Sequence, residues 1–122
     1  MDFPENTSVQ QDTIEIKPRY SETDQGGVVH HSVYPVWFEM GRTELLRANR
    51  LAYRTLEEKG IFFVVAEIQI KYRRPARYDD NLQLQTICDR ITASKIEHIY
   101  QLTNGDTGIL LAEGRTVLAC MN

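Results

Sequence analysis

A chain of 122 residues, of which 42% are apolar and 25% charged, has the size and composition of one globular domain. Its net charge of −3 includes no basic surplus, so neither nucleic acid nor an anionic membrane surface is indicated as a partner. The longest uncharged apolar run, residues 61–66, is too short for an integral membrane segment, and the acidic start lacks the order of a signal peptide. Cys88 and Cys120 have no metal-ligand spacing, which indicates thiols in a reducing cytoplasm rather than a disulfide.

The first part of the chain predicts a tail, a strand and an acidic turn. Residues 1–12 are polar and aperiodic, so we expect a flexible tail before a single domain of residues 13–122. The domain starts with alternating apolar and polar residues, which predict a half-buried strand with Pro18 at an edge or a break. The same alternation places Tyr20 on the core side, shortly before Asp24.

A long helix is expected next, over about residues 33–49, because apolar residues recur there at helical spacing. Ser32 is the candidate N-cap, and Pro35 falls in the first turn, where its missing N–H costs nothing. Gly41 lies on the apolar face, which indicates that a sheet or a ligand approaches the helix closely. A second, short helix is expected over residues 51–59.

The remainder of the chain predicts strands joined by short turns. Turn sequences at residues 92–94 and 104–106 connect neighbours closely enough to form hairpins. One strand, a long helix and four strands make an α+β plan, in which an antiparallel sheet with one apolar face wraps around the helix. Long alternating strands also need their edges covered. The four strands are expected over residues 66–72, 82–88, 95–102 and 109–120.

The stretch that joins the first strand to the long helix contains the residues best suited to chemistry. Asp24 is followed by the flexible pair Gly26-Gly27 and by an apolar step into the helix. A helix start presents unpaired N–H groups and about half a positive charge. A carboxylate beside it can attack a carbonyl or activate water while the N–H groups hold a substrate oxygen. From residue types alone, a turn aspartate is the simpler interpretation of Asp24.

Residues 22–34, Glu-Thr-Asp-Gln-Gly-Gly-Val-Val-His-His-Ser-Val-Tyr, and residues 42–46, Arg-Thr-Glu-Leu-Leu, resemble the 4-hydroxybenzoyl-CoA thioesterase family of hotdog-fold proteins. The likeness is greatest to the acyl-CoA thioesterases associated with the Tol–Pal system, and it runs from about residue 13 to the end. Residues 72–80, Tyr-Arg-Arg-Pro-Ala-Arg-Tyr-Asp-Asp, are similar to the family's second signature. The resemblance implies a hotdog fold and a homodimer or homotetramer with active sites between subunits.

The resemblance also implies roles for single residues. Asp24 matches the catalytic carboxylate, which would act as nucleophile or as general base on water. His31 would offer its backbone N–H to an oxyanion, or its side chain to the substrate, unless it is only a helix-entry residue. Tyr20 would help to form the site, with a core tyrosine bonded once through its hydroxyl as the alternative. Substrate contacts are expected from Gly27, Val28 and Val29 for the acyl group and from Arg90 and Lys95 for the CoA nucleotide.

The predicted activity is that of a cytoplasmic acyl-CoA thioesterase, which releases a carboxylate and free CoA. The CoA thioester is the substrate, and neither a cofactor nor a metal is expected, because adjacent His30 and His31 diverge and no zinc-type spacing completes a set. Two alternatives stay open. In a non-catalytic acyl-CoA-binding module Asp24 would be only a turn residue, and a hotdog enoyl-CoA hydratase or dehydratase would pair a His with an acid. The acyl group and the choice between CoA and acyl carrier protein are not indicated.

Overall fold

The structure, a computed structural model, describes residues 9–51 and 53–121. The long helix and the four later strands lie where the sequence predicts them, so the α+β plan is confirmed. The first strand begins at Gln11, inside the predicted tail, and residues 1–8 of that tail lie outside the described residues. The elements are β1 (Gln11–Ile16), two 3-10 turns (Tyr20–Glu22 and His31–Val33), α1 (Tyr34–Ala48), α2 (Tyr53–Glu58), β2 (Phe62–Tyr72), β3 (Leu82–Ile91), β4 (Lys95–Asn104) and β5 (Leu110–Met121).

The described strands form one antiparallel sheet in the order β1-β3-β4-β5-β2. The predicted turns at residues 92–94 and 104–106 connect β3 to β4 and β4 to β5. The helix α1 packs across β1 and β3, on the face of the sheet that carries the core. Among the described strands, β1 and β2 are the outer ones, and each pairs with a neighbouring strand on one side only.

Two glycines let α1 lie close to the sheet. A Cβ added to Gly41 would collide with the side-chain hydroxyl of Thr86 on β3, so the close approach predicted for this glycine is confirmed. A Cβ added to Gly114 on β5 would collide with the ring of Phe38. That ring stacks on Tyr100, with the two centroids 4.1 Å apart. The helix therefore rests on β3, β4 and β5 with no space for a further methyl group at these two points.

The predicted burial of Tyr20 is wrong. The alternation holds as far as Ile16, which is 5% exposed, and Pro18 is also buried. The strand ends at Ile16, however, and the chain bends into a 3-10 turn that starts at Tyr20. Side chains alternate between the two faces of a sheet only within a strand, so the alternation cannot be extended to Tyr20. The side chain of Tyr20 is consequently 78% exposed.

The outer strand β2 is exposed on both faces, which differs from the half-buried strand that the sequence predicts. Its alternation is real, but of the side chains expected inside over residues 66–72 only Ile70 is partly buried. Apolar side chains on an unpaired strand edge are expected to be covered by another surface. Those of β2 that are 43 to 49% exposed are Phe62, Val64, Val65, Ile68 and Tyr72.

Among the helices of the described ranges, none combines the length and the apolar run that crossing a bilayer requires. Cys88 and Cys120 are both partly buried, and no disulfide joins them.

Candidate active site

Asp24 lies in a tight loop that its own side chain helps to close. Its Oδ1 accepts hydrogen bonds from the N–H of Gly26 at 2.8 Å and from the N–H of Val28 at 3.3 Å. The backbone N–H of Asp24 donates to the Val28 carbonyl at 2.8 Å, and Gly27 has a φ of 79°, which favours glycine. One carboxylate oxygen therefore stabilises the turn, whereas no bond from the described residues reaches Oδ2, and the residue is exposed.

The loop is held against the segment that follows β2. The N–H of Val29 donates to the carbonyl of Ala76 at 2.8 Å, and both residues are buried. Val28 and Arg77 form an antiparallel bridge beside that bond. The two sequence segments that resemble the family's signatures, residues 22–34 and 72–80, therefore pack against each other.

The helix start that follows the loop presents a backbone donor at His31. The predicted N-cap of the long helix, Ser32, is wrong, because α1 has Val33 at its N-cap and no side chain caps it. The 3-10 turn before α1 is capped by His30, whose Nδ1 accepts from the N–H of Ser32 at 3.2 Å and lies 2.7 Å from its hydroxyl. The N–H of Val33 donates to the His30 carbonyl at 3.0 Å, and Pro35 lies in the first turn of α1 as predicted. None of the described residues accepts a hydrogen bond from the N–H of His31. This donor is available to a ligand.

Two tyrosines anchor the helix start to the end of β2. Tyr34 is 3% exposed and bonds the backbone of Ala76 through its hydroxyl. Tyr72 donates from its hydroxyl to the carbonyl of His31 at 3.0 Å, and the two rings meet edge to face with centroids 4.9 Å apart. Burial raises the pKa of Tyr34 and of Tyr72. Both hydroxyls therefore stay protonated at neutral pH.

The structure brings together some of the predicted site residues and separates others. Tyr20 does not enter this group, because its exposed ring packs edge to face on Tyr78, with centroids 5.8 Å apart. Arg90 and Lys95 lie at the β3–β4 turn. The strand register places this turn at the same end of the sheet as the start of β2, whereas Tyr72 lies at the other end of β2. Eight residues of strand separate the two ends, roughly 25 Å. The residues that lie together in the loop and the helix start are Asp24, Gly27, Val28, Val29 and His31.

Sequence reasoning missed a polar cluster beneath α1. Arg42 is 9% exposed and bonds the hydroxyl of Tyr100, which lies 2.6 Å from the hydroxyl of Thr116. His98 is 5% exposed beside them, and burial, followed by the charge of Arg42, lowers its pKa to about 4. The alternation of β4 indicates that His98 faces inward. The helical pattern counted only apolar residues, so nothing in it pointed to Arg42.

The chain is similar to known proteins over most of its length. A model of the thioesterase-like superfamily matches residues 18–122. The Bacillus subtilis protein YneP is 37% identical over 90 residues, which are 74% of this chain and 65% of YneP, so the match spans just under two thirds of that relative. The acyl-CoA thioester hydrolase YbgC of Escherichia coli O157:H7 is 31% identical over 107 residues, 88% of this chain and 79% of YbgC. The structure of a DHNA-CoA thioesterase from Staphylococcus aureus superposes with a TM-score of 0.88 at 28% identity, over 92% of this chain and 74% of that one.

Proposed function

Because the chain belongs to the thioesterase-like superfamily, we propose that it hydrolyses an acyl-CoA thioester to a carboxylate and free CoA. The resemblance to the 4-hydroxybenzoyl-CoA thioesterase family is confirmed, and so is the hotdog fold, which the Staphylococcus aureus structure shares. The chain is accordingly classed with the thioester hydrolases. The observation that carries the proposal is the exposed Asp24, in the loop that leads to the helix start: neither its Oδ2 nor the N–H of His31 has a partner among the described residues.

Asp24 is the reactive carboxylate in this proposal. The bonds to its Oδ1 fix the direction of the group and leave Oδ2 for the reaction. As a nucleophile, Oδ2 attacks the thioester carbonyl, the C–S bond breaks with release of CoA thiolate, and water then hydrolyses the mixed anhydride. As a general base, it takes a proton from water while the water oxygen attacks and the thiolate leaves. Trapping with hydroxylamine separates the routes, since only the anhydride converts Asp24 into a hydroxamate.

The His31 N–H supplies the oxyanion donor in either route. Attack on the thioester carbonyl places a negative charge on its oxygen, and a donor that is already aimed at that oxygen stabilises the transition state. The start of α1 adds a partial positive charge to the same place. Backbone N–H groups cannot be removed by substitution, so the role predicted for His31 does not need its imidazole. The backbone from Gly27 to Val29 lies beside the acyl group in this arrangement.

We propose that a second copy of the chain completes the site. In a single chain Asp24 is exposed, and β2 is an outer strand of the described sheet, with exposed apolar side chains on both faces. Antiparallel pairing of two β2 edges would reverse the partner's sheet, so that its β3–β4 turn lies at this chain's Tyr72 end. Arg90 and Lys95 would then reach the CoA nucleotide from the other subunit. Scattering at two protein concentrations tests the assembly and separates a homodimer from a homotetramer.

Release of free thiol from a panel of thioesters tests the activity itself. The panel contains aromatic, short aliphatic and medium aliphatic acyl-CoA together with acyl carrier protein thioesters, and the wild-type protein is expected to turn over at least one class. Calorimetric binding of acyl-CoA without thiol release would instead identify a binding module. Conversion of an enoyl-CoA to its hydroxyacyl product would identify a hydratase. We place the enzyme in the cytoplasm, which agrees with the lack of a disulfide between its two cysteines.

A further inference from the structure

The carbonyl group of His31 lies where α1 cannot hold it by the usual helical bond. In an α-helix each carbonyl accepts a bond from the N–H four residues ahead. For His31 that residue is Pro35, which has no N–H. The hydroxyl of Tyr72, 41 residues away in the chain, donates to this oxygen at 3.0 Å instead. A carbonyl oxygen has two lone pairs and can accept two hydrogen bonds. The oxygen of His31 can therefore accept the bond from Tyr72 and still take part in the tight turn His31–Val33.

The tyrosine that supplies this donor is itself held in place. Its ring packs on Tyr34, which is buried and bonded to the backbone of Ala76. The carbonyl of Ala76 also accepts the N–H of Val29 at 2.8 Å. Residues 72–76 therefore fix the chain on both sides of the peptide between His30 and His31, and this peptide carries the available N–H.

From this geometry we infer that Tyr72 is a positioning residue: its hydroxyl bonds the carbonyl of the next peptide, between His31 and Ser32, and thereby holds the direction of the His31 N–H. The inference rests on the proposed function, because it gives that N–H the role of oxyanion donor. A donor stabilises the transition state only when it is aimed at the oxygen as the charge develops, and a misplacement of about 1 Å can cost about 100-fold in rate. Tyr72 acts through His31 and needs no contact with the substrate. Its loss should therefore lower kcat rather than raise KM.

The substitution Tyr72→Phe tests this role, because it keeps the ring contact with Tyr34 and removes only the hydroxyl. We expect kcat to fall about 10-fold while KM changes less than about twofold. Tyr78→Phe is the matched control, since the described residues offer no hydrogen bond to that hydroxyl, and it should keep the wild-type kcat. A Tyr72→Phe enzyme with wild-type kcat overturns the inference. So does one in which only KM rises, because Tyr72 would then be a substrate contact.

A second substitution tests whether the missing helical donor is the reason for the bond. Pro35→Ala returns an N–H to the position four residues after His31. Added to Tyr72→Phe, it should restore kcat by about threefold, since the two substitutions act on one carbonyl and are not additive. A double variant with a lower kcat than Tyr72→Phe would contradict the account.

Amide hydrogen exchange examines the contact without any reference to activity. In Tyr72→Phe the turn His31–Val33 should exchange faster than in the wild type, whereas β3 and β4 keep their protection. Wild-type exchange at this turn overturns the positioning role even where kcat has fallen. If the wild-type protein releases no thiol from any thioester, the proposed function fails, while faster exchange in Tyr72→Phe would still establish the structural part of the inference.

Discussion

Two polar regions flank α1, and they differ in what their groups are free to do. In the Asp24 loop and the helix start that follows, the side chains of Asp24 and His31 are exposed, and neither Oδ2 of Asp24 nor the N–H of His31 has a partner among the described residues. In the cluster beneath α1, the hydroxyl of Tyr100 has Arg42 and Thr116 as partners, and His98 is buried beside them. His98, whose pKa is lowered by burial to about 4, lies in the second region. A perturbed pKa therefore marks burial here, whereas availability to a ligand marks the candidate site.

The substitution Asp24→Asn is the strongest test of this difference between the Asp24 loop and the buried cluster. The amide oxygen of asparagine can still accept the bonds from Gly26 and Val28, so the loop should keep its shape. Because the amide is neither nucleophile nor base, we expect kcat to fall about 1000-fold with an unchanged Tm. Asp106→Asn, at an exposed aspartate in the β4–β5 turn, is the matched control and should keep wild-type activity. Near wild-type turnover by Asp24→Asn would reject the proposed role of this carboxylate.

The buried cluster should affect the stability of the protein in acid rather than the turnover of substrate. His98 has a pKa of about 4 in the folded protein, against the ordinary value of 6.5 in the unfolded chain. Between these values the unfolded chain binds the proton and the folded protein does not. Stability from this residue is therefore full above pH 6.5 and is lost as the pH falls to 4, by about 3 kcal/mol. Urea unfolding over pH 4 to 7.5 should show a shallower acid slope for His98→Leu than for the wild type, whereas His31→Ala should keep the wild-type slope.

A third test concerns the close contact between α1 and the sheet that lies between the two regions. Gly41→Ala places a methyl group against Thr86 and 2.9 Å from Leu84. Overpacking outweighs the gain in helix propensity, so the free energy of unfolding should fall by about 1 to 2 kcal/mol. Chemical denaturation measures the loss. The double substitution Gly41→Ala with Thr86→Ala removes part of the clash and should recover some of it, and a stabilised Gly41→Ala would show that the helix can move away.

The smallest effect is expected at His31. His31→Ala keeps the backbone N–H and removes the imidazole, so kcat should stay within about threefold of the wild type. A loss as large as that of Asp24→Asn would move the catalytic role from the backbone to the side chain. Steady-state kinetics on the thioester that the wild type hydrolyses best provides the measurement.

Features of the fold and the site could be predicted from the sequence where a physical cause, such as apolar burial, imposes a pattern on the residues. Periodicity placed α1 and the inward residues of β3 and β4 correctly, because apolar burial imposes that spacing. The segment around Asp24 was identified by its motif, although turn chemistry alone favoured a structural aspartate. Both interpretations are compatible with the structure, since one oxygen closes the turn and the other is exposed.

The predictions that failed depend on information that a local pattern does not contain. Tyr20 continued an alternation beyond the strand's last residue, Ile16. The strand β2 has a regular pattern, but only the order of strands in the sheet shows that it is an outer one. Arg90 and Lys95 are a different case, because they were selected by charge and a single chain does not test them. Their role in binding CoA stays a prediction that depends on a second subunit.

The unpaired edge of β2 has a consequence for how such a protein can change. Where two identical strands meet across a two-fold axis, each substitution is introduced twice and faces its own copy near the axis. A single new charge on the exposed residues of β2 would therefore meet a like charge, and a single new apolar residue would gain two contacts. In the proposed assembly, a substitution near the axis of this strand would act twice, so one codon could alter the oligomer.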